Sequence, residues 1–293
     1  MDLTLVTCSD MPEHDLDEEP LLDALAAAGV EARMAAWDDL GVDWGAAPLT
    51  VVRSAWNYAH DRPGFLEWMR RASSASTTLR NPLTVMAPNS HKGYLAGLER
   101  AEVPVVPTRW FAGDAQAAPD VDALRALPWD RVVVKPAVGG GSLGVRAFDL
   151  TNDDALQEAA VHVAALRRMG VVLVQPQLES IVREGERDLV WIDGEFTHVV
   201  TKHSRLDGEV ERADDSVRAP SDSECQLATR ALRTVPQIAQ REVLYARVDM
   251  APDELGTLRI IELELVEPSL FLTLHEPAMA RFVACLARES GAS

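Results

Sequence analysis

The chain has 293 residues, 47% of them hydrophobic and 25% charged, a balance typical of a folded protein with two or three packed subdomains and not of a disordered chain. Its 28 Lys and Arg residues face 46 Asp and Glu residues, and the resulting net charge of −18 disfavours nucleic acid and anionic membranes as partners. With no signal peptide, no apolar run long enough to span a membrane and three widely spaced cysteines, the sequence predicts a cytoplasmic protein with reduced thiols.

The first 85 residues alternate short apolar runs with helical patterns. The predicted elements are strands at Leu3–Thr7, Glu31–Ala36 and Leu49–Arg53 and helices at Pro20–Ala28 and Pro63–Ala72. Strands separated by helices of this length favour βαβ units, so we expect a small Rossmann-like α/β domain with a parallel sheet over residues 1–85. Breaker residues between Asn81 and Pro88 mark its end.

The pattern changes beyond this boundary. A helix carrying Lys92 is predicted to begin at Asn89 or Ser90. The elements predicted next are strands at Val103–Arg109, Arg131–Lys135, Val145–Phe148 and Val171–Gln175 and a helix from Thr151 to Met169. The pair Asp193-Gly194 favours a type I′ turn, which predicts an antiparallel hairpin of Leu189–Ile192 and Glu195–Lys202.

The last third is predicted to open with a long loop, because His203–Pro220 is polar and lacks periodicity. The elements expected after it are a helix over Ser221–Ala239, strands at Val243–Met250 and Leu258–Leu265, and a terminal helix from about Pro277. The fold class expected for the whole chain is therefore mixed α/β (α+β).

A glycine-rich loop follows a lysine at the end of a valine strand. Lys135 ends the run Val132–Val134, and the loop Gly139–Gly144, with four glycines and Ser142, leads into the next strand. Glycine lets backbone N–H groups approach phosphate oxygens and the lysine adds a positive charge, so the pattern indicates a phosphate site. Its spacing matches neither a Walker A loop nor a Rossmann fingerprint. The alternative is a plain hairpin with an exposed lysine.

Two predicted strands carry charged residues at alternating positions. Arg247 and Asp249 share a face of one strand, and Glu262 and Glu264 share a face of the next. If these strands form a hairpin, three carboxylates converge beside one arginine, and they repel one another unless a divalent cation neutralises them. A ligand set of oxygens suits Mg²⁺ or Mn²⁺. The alternative is a solvated acidic strand face.

Other polar residues carry weaker signals. His91, His198, His203 and His275 lack the spacing of zinc ligands, and Ser142 lacks the GxSxG context of a nucleophile. Trp56 and Tyr58 follow a strand end, where they either line a substrate cleft or cap the core.

Together these features resemble the ATP-grasp ligases, the superfamily that includes D-alanine–D-alanine ligase and glutathione synthetase. The shared order is Lys92, the strand lysine Lys135, a glycine-rich loop, and an Asp followed 13 positions later by Glu-x-Glu. In that family the last metal ligand is usually Asn, where this chain has Glu264. The resemblance covers residues 85–270. It implies an ATP-grasp fold over residues 86–293, with a lid subdomain at about 104–175 and a metal-binding subdomain at about 176–293.

A narrower likeness spans most of the chain. Six motifs are similar to those of the actinobacterial ligase group that contains O-ureido-D-serine cyclo-ligase of cycloserine biosynthesis: Arg53–Tyr58, Asn81-Pro82, His91-Lys92, Val133–Pro136, Gly185–Arg187 and Glu262–Leu270. This likeness implies a role in antibiotic biosynthesis.

The resemblance implies that the protein uses ATP with Mg²⁺ or Mn²⁺, as two ions, and it assigns roles to individual residues. The nucleotide contacts would be Lys92 and Lys135 at the α- and β-phosphates, Gly140, Gly141 and Ser142 over the γ-phosphate, Gln175, Pro176 and Leu178 at adenine, and Glu186 or Asp188 at the ribose. The remaining roles would be Asp249, Glu262 and Glu264 as metal ligands, Arg247 and Lys202 as catalytic residues, and Arg53, Trp56, Glu267 and Ser269 at the substrate.

The reaction implied is ADP-forming carbon–nitrogen ligation. ATP phosphorylates a carboxylate, and a nitrogen nucleophile then displaces phosphate to give an amide or a ring. The expected partner is a small amino-acid-like molecule, and the expected assembly is a monomer or a homodimer. Two alternatives remain: an ATP-dependent kinase, which would use the same lysines and metals, and a non-catalytic nucleotide-binding regulatory domain.

Overall fold

The computed structural model describes residues 1–141, 143–203 and 213–292, without the side chains of 213–216. Successive parts of the chain form three β-sheets in the described residues, one parallel and two antiparallel. The predicted α/β fold class is confirmed. None of the helices in these ranges combines the length and the apolar character that a membrane span requires.

The first sheet is parallel, as predicted, with strand order β2-β1-β3-β4. Its elements are β1 (Leu3–Thr7), α1 (Glu18–Ala27), β2 (Ala32–Ala36), β3 (Leu49–Val52), α2 (Arg62–Ser74) and β4 (Thr78–Arg80), with a short 3₁₀ helix over Trp56–His60. Gly29 follows α1 with a φ of 78°, which fits the predicted stop of this helix at a glycine. The three-residue strand β4 was not predicted, because it is too short to show an alternating pattern.

Two short helices, α3 (Leu83–Asn89) and α4 (Tyr94–Arg100), replace the single helix predicted to begin at Asn89 or Ser90. The prediction was wrong because tertiary contacts override the local pattern. The backbone N–H of Lys92 donates to the carbonyl of Ala137, 2.7 Å away, and this bond holds Lys92 in the turn between the two helices.

The second sheet is antiparallel, with strand order β5-β8-β6-β7. Its elements are β5 (Arg109–Phe111), α5 (Val121–Arg125), β6 (Arg131–Pro136), β7 (Arg146–Asp149), α6 (Asp153–Arg167) and β8 (Val172–Pro176). The strand predicted over Val103–Arg109 is wrong. Val105 forms one isolated bridge to Ile260, and Pro104 and Pro107 have no N–H to extend a ladder.

The third sheet is also antiparallel, with order β11-β10-β9-β12-β13. Its elements are α7 (Glu179–Glu184), β9 (Glu186–Ile192), β10 (Glu195–Lys202), β11 (Ala213–Arg218), β12 (Tyr245–Pro252) and β13 (Leu258–Glu264). The predicted hairpin of β9 and β10 is confirmed. Asp193 and Gly194 have φ values of 45° and 90°, as a type I′ turn requires.

Two predictions in the last third are wrong. The segment predicted as a loop, His203–Pro220, contains strand β11, which pairs with β10; residues 204–212 lie outside the described ranges. The helix predicted over Ser221–Ala239 ends at Leu232 as α8 (Asp222–Leu232), and α9 (Pro236–Ala239) follows separately, because Pro236 has no N–H to continue α8. The terminal helix α10 (Glu276–Ser290) forms as predicted.

One hydrophobic core joins the first sheet to the third. Leu3 and Leu5 of β1 pack in the same cluster as Ile192 of β9, Tyr245 of β12 and Phe282 of α10. The carboxyl ends of the parallel strands therefore lie beside β12 and the segment that follows β13.

Candidate active site

A cavity of about 840 Å³ lies where the three sheets meet. Each sheet contributes a wall: the loop Pro12–Asp17 after β1, the ends of β6 and β8 from the second sheet, and the inner faces of β10, β12 and β13. A cavity of this size, formed by elements distant in sequence, is the expected place for a nucleotide and a second small ligand.

Cationic side chains gather on one side of the cavity. Lys92 and Lys135 both contact the carboxylate of Glu262, with Nζ–O distances of 2.6 and 2.9 Å. Lys202 forms an ion pair with Glu186. These three are the only lysines in the 293-residue sequence, and all three line the cavity. In a chain with so few lysines, each lysine could have been identified from the sequence as a candidate site residue.

The glycine-rich loop lies beside these lysines. Gly139, Gly140, Gly141 and Leu143 line the cavity, while Ser142 is outside the described residues. Gly141 has a φ of 54°, a conformation that favours glycine. A Cβ on Gly140 would come within 3.8 Å of Glu267 Oε1, so the loop passes close to the opposite wall.

The cavity is apolar where the adenine ring is predicted to bind. Gln175, Pro176 and Leu178 line it there, together with Val133 of β6 and Ile261 of β13. The Gln175 amide donates to the Thr108 hydroxyl at 2.8 Å, which fixes this part of the wall. Apolar walls on two sides suit a planar base.

Strands β12 and β13 form an antiparallel pair, as the predicted convergence of their charged residues requires. Arg247 lies opposite Glu264, and Asp249 lies opposite Glu262. Arg247 binds both oxygens of Asp249, at 2.8 and 2.9 Å, and a Glu264 oxygen at 2.9 Å. All four residues line the cavity, so the convergence predicted from strand alternation is present.

A second acidic cluster could hold a metal ion, and the sequence did not predict it as a metal-binding group. Oxygens of Glu186, Asp188 and Asp249 lie within 4.8 Å of one another, because Asp188 of β9 pairs with Asp249 of β12. Asp188 is fully buried behind the cavity wall, 3.3 Å from Lys202 Nζ and 3.5 Å from Arg247 Nε. Burial and the charge of Asp249 raise the pKa of Asp188 well above its usual value. Because β9 and β12 are not consecutive strands, no local sequence pattern predicts that Asp188 and Asp249 lie side by side.

Cationic side chains offset part of the repulsion that the sequence predicts between the carboxylates. Burial and the neighbouring carboxylates raise the pKa of Glu264 to about 7, even though Arg247 opposes the shift. The pKa of Glu262 is lowered instead, because Lys135 and Lys92 outweigh its desolvation. Two lysines thus keep Glu262 ionised, whereas a single arginine shared with Asp249 does not offset the burial of Glu264.

Carboxyl groups outnumber cationic groups at the site, with Glu186, Asp188, Asp249, Glu262, Glu264 and Glu267 against Lys92, Lys135, Lys202 and Arg247. The Asp188 oxygens lack a hydrogen-bond partner among the described residues. A buried surplus of carboxylate oxygens is the environment that a divalent cation neutralises, so these residues fit Mg²⁺ or Mn²⁺.

The residues predicted at the substrate belong to the same cavity, except Arg53. Trp56, Tyr58, Glu267 and Ser269 line the cavity, so both aromatic residues border the cleft. Tyr58 also stacks on Phe65 in the core. Arg53 is buried behind the wall and donates to the Pro268 carbonyl at 3.3 Å.

Comparison with known proteins places this arrangement in a family. A family model described as D-cycloserine synthetase DcsG, N-terminal domain, matches residues 3–81. The cycloserine biosynthesis protein DcsG of Streptomyces lavendulae is 35% identical over 295 residues, which cover 97% of each chain. The crystal structure of D-cycloserine synthetase DcsG superposes with a TM-score of 0.85 at 31% identity, covering 98% of this chain and 99% of that one.

More distant structures share the fold. D-alanine–D-alanine ligase from Bacillus anthracis, complexed with ATP, has a TM-score of 0.65 at 14% identity, covering 98% of this chain and 96% of that one. The ATP-grasp ligase PsnB, complexed with precursor peptide PsnA2 and AMPPNP, has a TM-score of 0.62 at 16% identity, covering 99% and 97%. The predicted ATP-grasp fold is thus confirmed, and the chain belongs to the DcsG family of ATP-grasp carbon–nitrogen ligases.

Proposed function

We propose that this ligase activates the carboxylate of a small amino-acid-like substrate. A nitrogen nucleophile then forms a bond to the activated carbon, which gives a ring or an amide, as an O-ureido-D-serine cyclo-ligase does in forming cycloserine. The observation that carries the proposal is one cavity that holds three lysines, a glycine-rich loop and an acidic strand pair. Similarity to DcsG along 97% of both chains supports the choice of substrate.

The described residues divide the reaction between them. Lys92 and Lys135 release Glu262 and bind the phosphates of ATP, while Lys202 reaches the γ-phosphate. In the first step a carboxylate oxygen of the substrate attacks the γ-phosphorus, and the bond to the bridging oxygen breaks to release ADP. In the second step the substrate nitrogen attacks the acyl carbon and loses its proton, and inorganic phosphate leaves.

The chain stabilises the charge that develops in both steps. Arg247 is fixed by Asp249 and Glu264 and lies at the cavity wall, where its guanidinium stabilises the oxyanion of the tetrahedral adduct. The glycine-rich loop excludes water that would hydrolyse the acyl phosphate. Asp249, Glu262 and Glu264 would hold two Mg²⁺ ions, which supply neutralising charge for the phosphates when bound.

An ADP-release screen tests this function. The panel contains O-ureido-D-serine, its L-enantiomer, and D- and L-forms of serine and alanine, each with Mg²⁺ and ATP. Every compound of the panel carries a carboxylate and a nitrogen nucleophile, and we expect ADP release to be most rapid with O-ureido-D-serine. A phosphorylated stable product would instead indicate the kinase, and no ADP release with any compound would favour the regulatory domain.

The three lysines allow a direct test of the nucleotide position. Their side chains are 12%, 6% and 17% exposed in chain order. We expect Mg²⁺–ATP at about ten times its Kd to slow acylation of all three by an amine-reactive ester about tenfold, because acylation then requires the free protein. Peptide mass spectrometry measures each rate, and the Met1 α-amine is the internal control. Unchanged acylation of Lys92 and Lys135 would contradict the phosphate assignment.

The raised pKa of Glu264, about 7, makes metal binding depend on pH. The folded protein keeps a proton on Glu264 between about pH 4.5 and 7 that the unfolded chain loses, so this group lowers the stability of the free protein as pH rises through that window. A metal ligand must be deprotonated. We expect the Mg²⁺ affinity in the presence of ADP to rise with pH up to about 7, by at most about tenfold per pH unit, and then to level off.

Calorimetric titrations at several pH values measure this dependence. The control is Glu264→Gln, which should bind Mg²⁺ more weakly and lose the part of the pH dependence that Glu264 causes, leaving that of the ADP phosphates. Equal pH profiles for the two proteins would exclude Glu264 as a ligand.

The domain division and cellular setting are further parts of the proposal. We place the N-terminal domain at residues 1–85, the lid subdomain at about 104–175 and the metal-binding subdomain at about 176–293. The cysteines Cys8, Cys225 and Cys285 are all unpaired, which fits a cytoplasmic location. We expect a monomer or a homodimer.

A further inference from the structure

The segment that follows β13 forms part of the cavity wall without regular secondary structure. We call Leu265–Ser269 the wall segment; Glu267 and Ser269 of this segment line the cavity. A strand has its path set by ladder hydrogen bonds, whereas an irregular buried segment must satisfy each carbonyl separately. The partners of these carbonyls therefore determine where Glu267 and Ser269 lie.

Side chains hold five consecutive carbonyls of the wall segment. The donor–acceptor distances are 2.8 Å from Asn81 Nδ2 to Leu265, 2.8 Å from the Tyr245 hydroxyl to Val266, 2.9 Å from Trp56 Nε1 to Glu267, 3.3 Å from Arg53 Nη1 to Pro268 and 3.3 Å from Arg247 Nη1 to Ser269. The Tyr245 proton is shared with the Val52 carbonyl. An uninterrupted series of this kind leaves the segment little freedom.

Three of the five donors belong to the first 81 residues. Arg53 follows β3, Trp56 lies in the 3₁₀ helix after it, and Asn81 follows β4, so all three lie at the carboxyl ends of parallel strands. Asp17 extends the same contact, because its carboxylate accepts from the backbone N–H groups of Leu272 and Thr273 at 3.0 Å. The N-terminal part of the chain thus holds the backbone both before and after Leu270.

The donors Arg53 and Asn81 are buried, so their hydrogen bonds strongly restrict the position of the wall segment. Arg53 is 1% exposed and Asn81 is 0% exposed, so neither side chain has water as an alternative partner. The Asn81 amide also accepts from the Leu244 N–H and donates to the Tyr245 carbonyl, which ties the wall segment to the start of β12. Arg53 is further fixed between the rings of Tyr245 and Phe282.

We propose that Arg53, Trp56 and Asn81 are positioning residues for the substrate: they fix the wall segment, and through it Glu267 and Ser269, against the phosphate end of the cavity. The effect on substrate rests on the proposed function, in which Glu267 and Ser269 face the amino-acid substrate. Arg53 acts through the Pro268 carbonyl, although it does not line the cavity. The N-terminal sheet is therefore a determinant of substrate position in this ligase.

Trp56→Phe in the full-length protein tests the proposal, because it removes the Nε1 donor and keeps an aromatic ring at the wall. Losing one such hydrogen bond should speed amide hydrogen exchange in peptides covering 265–273 about threefold to tenfold, with little change elsewhere. Trp110→Phe is the matched control, since Trp110 Nε1 in β5 has no hydrogen-bond partner among the described residues. A second variant, Arg53→Lys, keeps the buried charge but shortens the reach to Pro268, and it should loosen the same peptides.

Kinetics with O-ureido-D-serine then separate positioning from general stability. For Trp56→Phe we expect kcat/KM for this compound to fall about tenfold or more, while the KM for ATP and the melting temperature stay close to wild type. Unchanged exchange in both variants would overturn the proposal, as would faster exchange with unchanged kinetics. If the wild type does not turn over the compound, the proposed substrate fails, and the exchange data still decide whether these residues fix the wall segment.

Discussion

Replacement of Glu262 by glutamine is expected to reduce turnover by at least about a hundredfold, the largest effect of any single substitution of a carboxylate at the site. Glu262 lies opposite Asp249 and holds both Lys92 and Lys135 in the free protein. The substitution removes a proposed metal ligand and also the anchor that keeps the two lysines in place. Steady-state ADP release with Mg²⁺ and ATP measures the loss.

The same substitution is expected to destabilise the free protein, contrary to what carboxylate repulsion alone would predict. Glu262 is 17% exposed, and its neutral replacement takes the direct ion-pair partner from two buried ammonium groups, at a cost of about 3 kcal/mol in the free energy of unfolding. Because the folded pKa of Glu262 is lowered, its contribution is complete above about pH 4.5 and is lost as pH falls. The stability difference between the two proteins should therefore shrink in acid.

Glu158→Gln is the matched control for this experiment. Glu158 pairs with Arg146 at 3.4 Å on the surface, where both side chains are more than half exposed, so its loss should leave turnover and melting temperature close to wild type. A Glu262→Gln protein that keeps wild-type turnover would show that Glu262 is not a ligand.

Lys135→Met is expected to weaken binding of a nonhydrolysable ATP analogue about tenfold to a hundredfold. Lys135 is 5% exposed at the end of β6, beside the glycine-rich loop, and a charge-assisted contact to phosphate contributes about 1.5–3 kcal/mol. Methionine has a similar length and suits an apolar strand, and Glu262 retains Lys92 as its partner, so the fold should be preserved. Titration calorimetry gives the affinity.

Arg131→Met provides the control on the same strand. Arg131 is about half exposed at the start of β6, outside the cavity, and it also carries one positive charge. Its replacement should leave the nucleotide affinity unchanged. Equal losses in the two variants would mean that net charge, and not position, governs the affinity.

Periodicity and turn residues predicted much of the fold, because they act locally. Strand β1 has the predicted bounds, and the Asp193-Gly194 turn forms the expected hairpin. Where tertiary contacts decide, the local pattern failed: the N–H of Lys92 bonds to Ala137 and interrupts the expected helix. The short strands β4 and β11 were missed because their pairing partners, and not their own composition, define them.

At the site, too, local patterns could be predicted and tertiary contacts could not. Alternation along two consecutive strands was enough to bring Arg247, Asp249, Glu262 and Glu264 together. The proximity of Asp188 to Asp249 depends on the register between β9 and β12, which lie more than fifty residues apart in the chain, so it could not be predicted. The role of Arg53 as a donor to a distant carbonyl was equally inaccessible, because it requires the relative position of two sheets.

Transfer of oxygen from substrate to phosphate tests the central claim most directly. The protein is incubated with Mg²⁺, ATP and O-ureido-D-serine in which both carboxylate oxygens are ¹⁸O, and the inorganic phosphate is examined by mass spectrometry. Activation as an acyl phosphate predicts one ¹⁸O atom in each phosphate released, in equal amount to ADP, because the carboxylate oxygen leaves with the phosphorus. Release of ADP with phosphate that contains no ¹⁸O, or with phosphorus retained on the product, would contradict carboxylate activation.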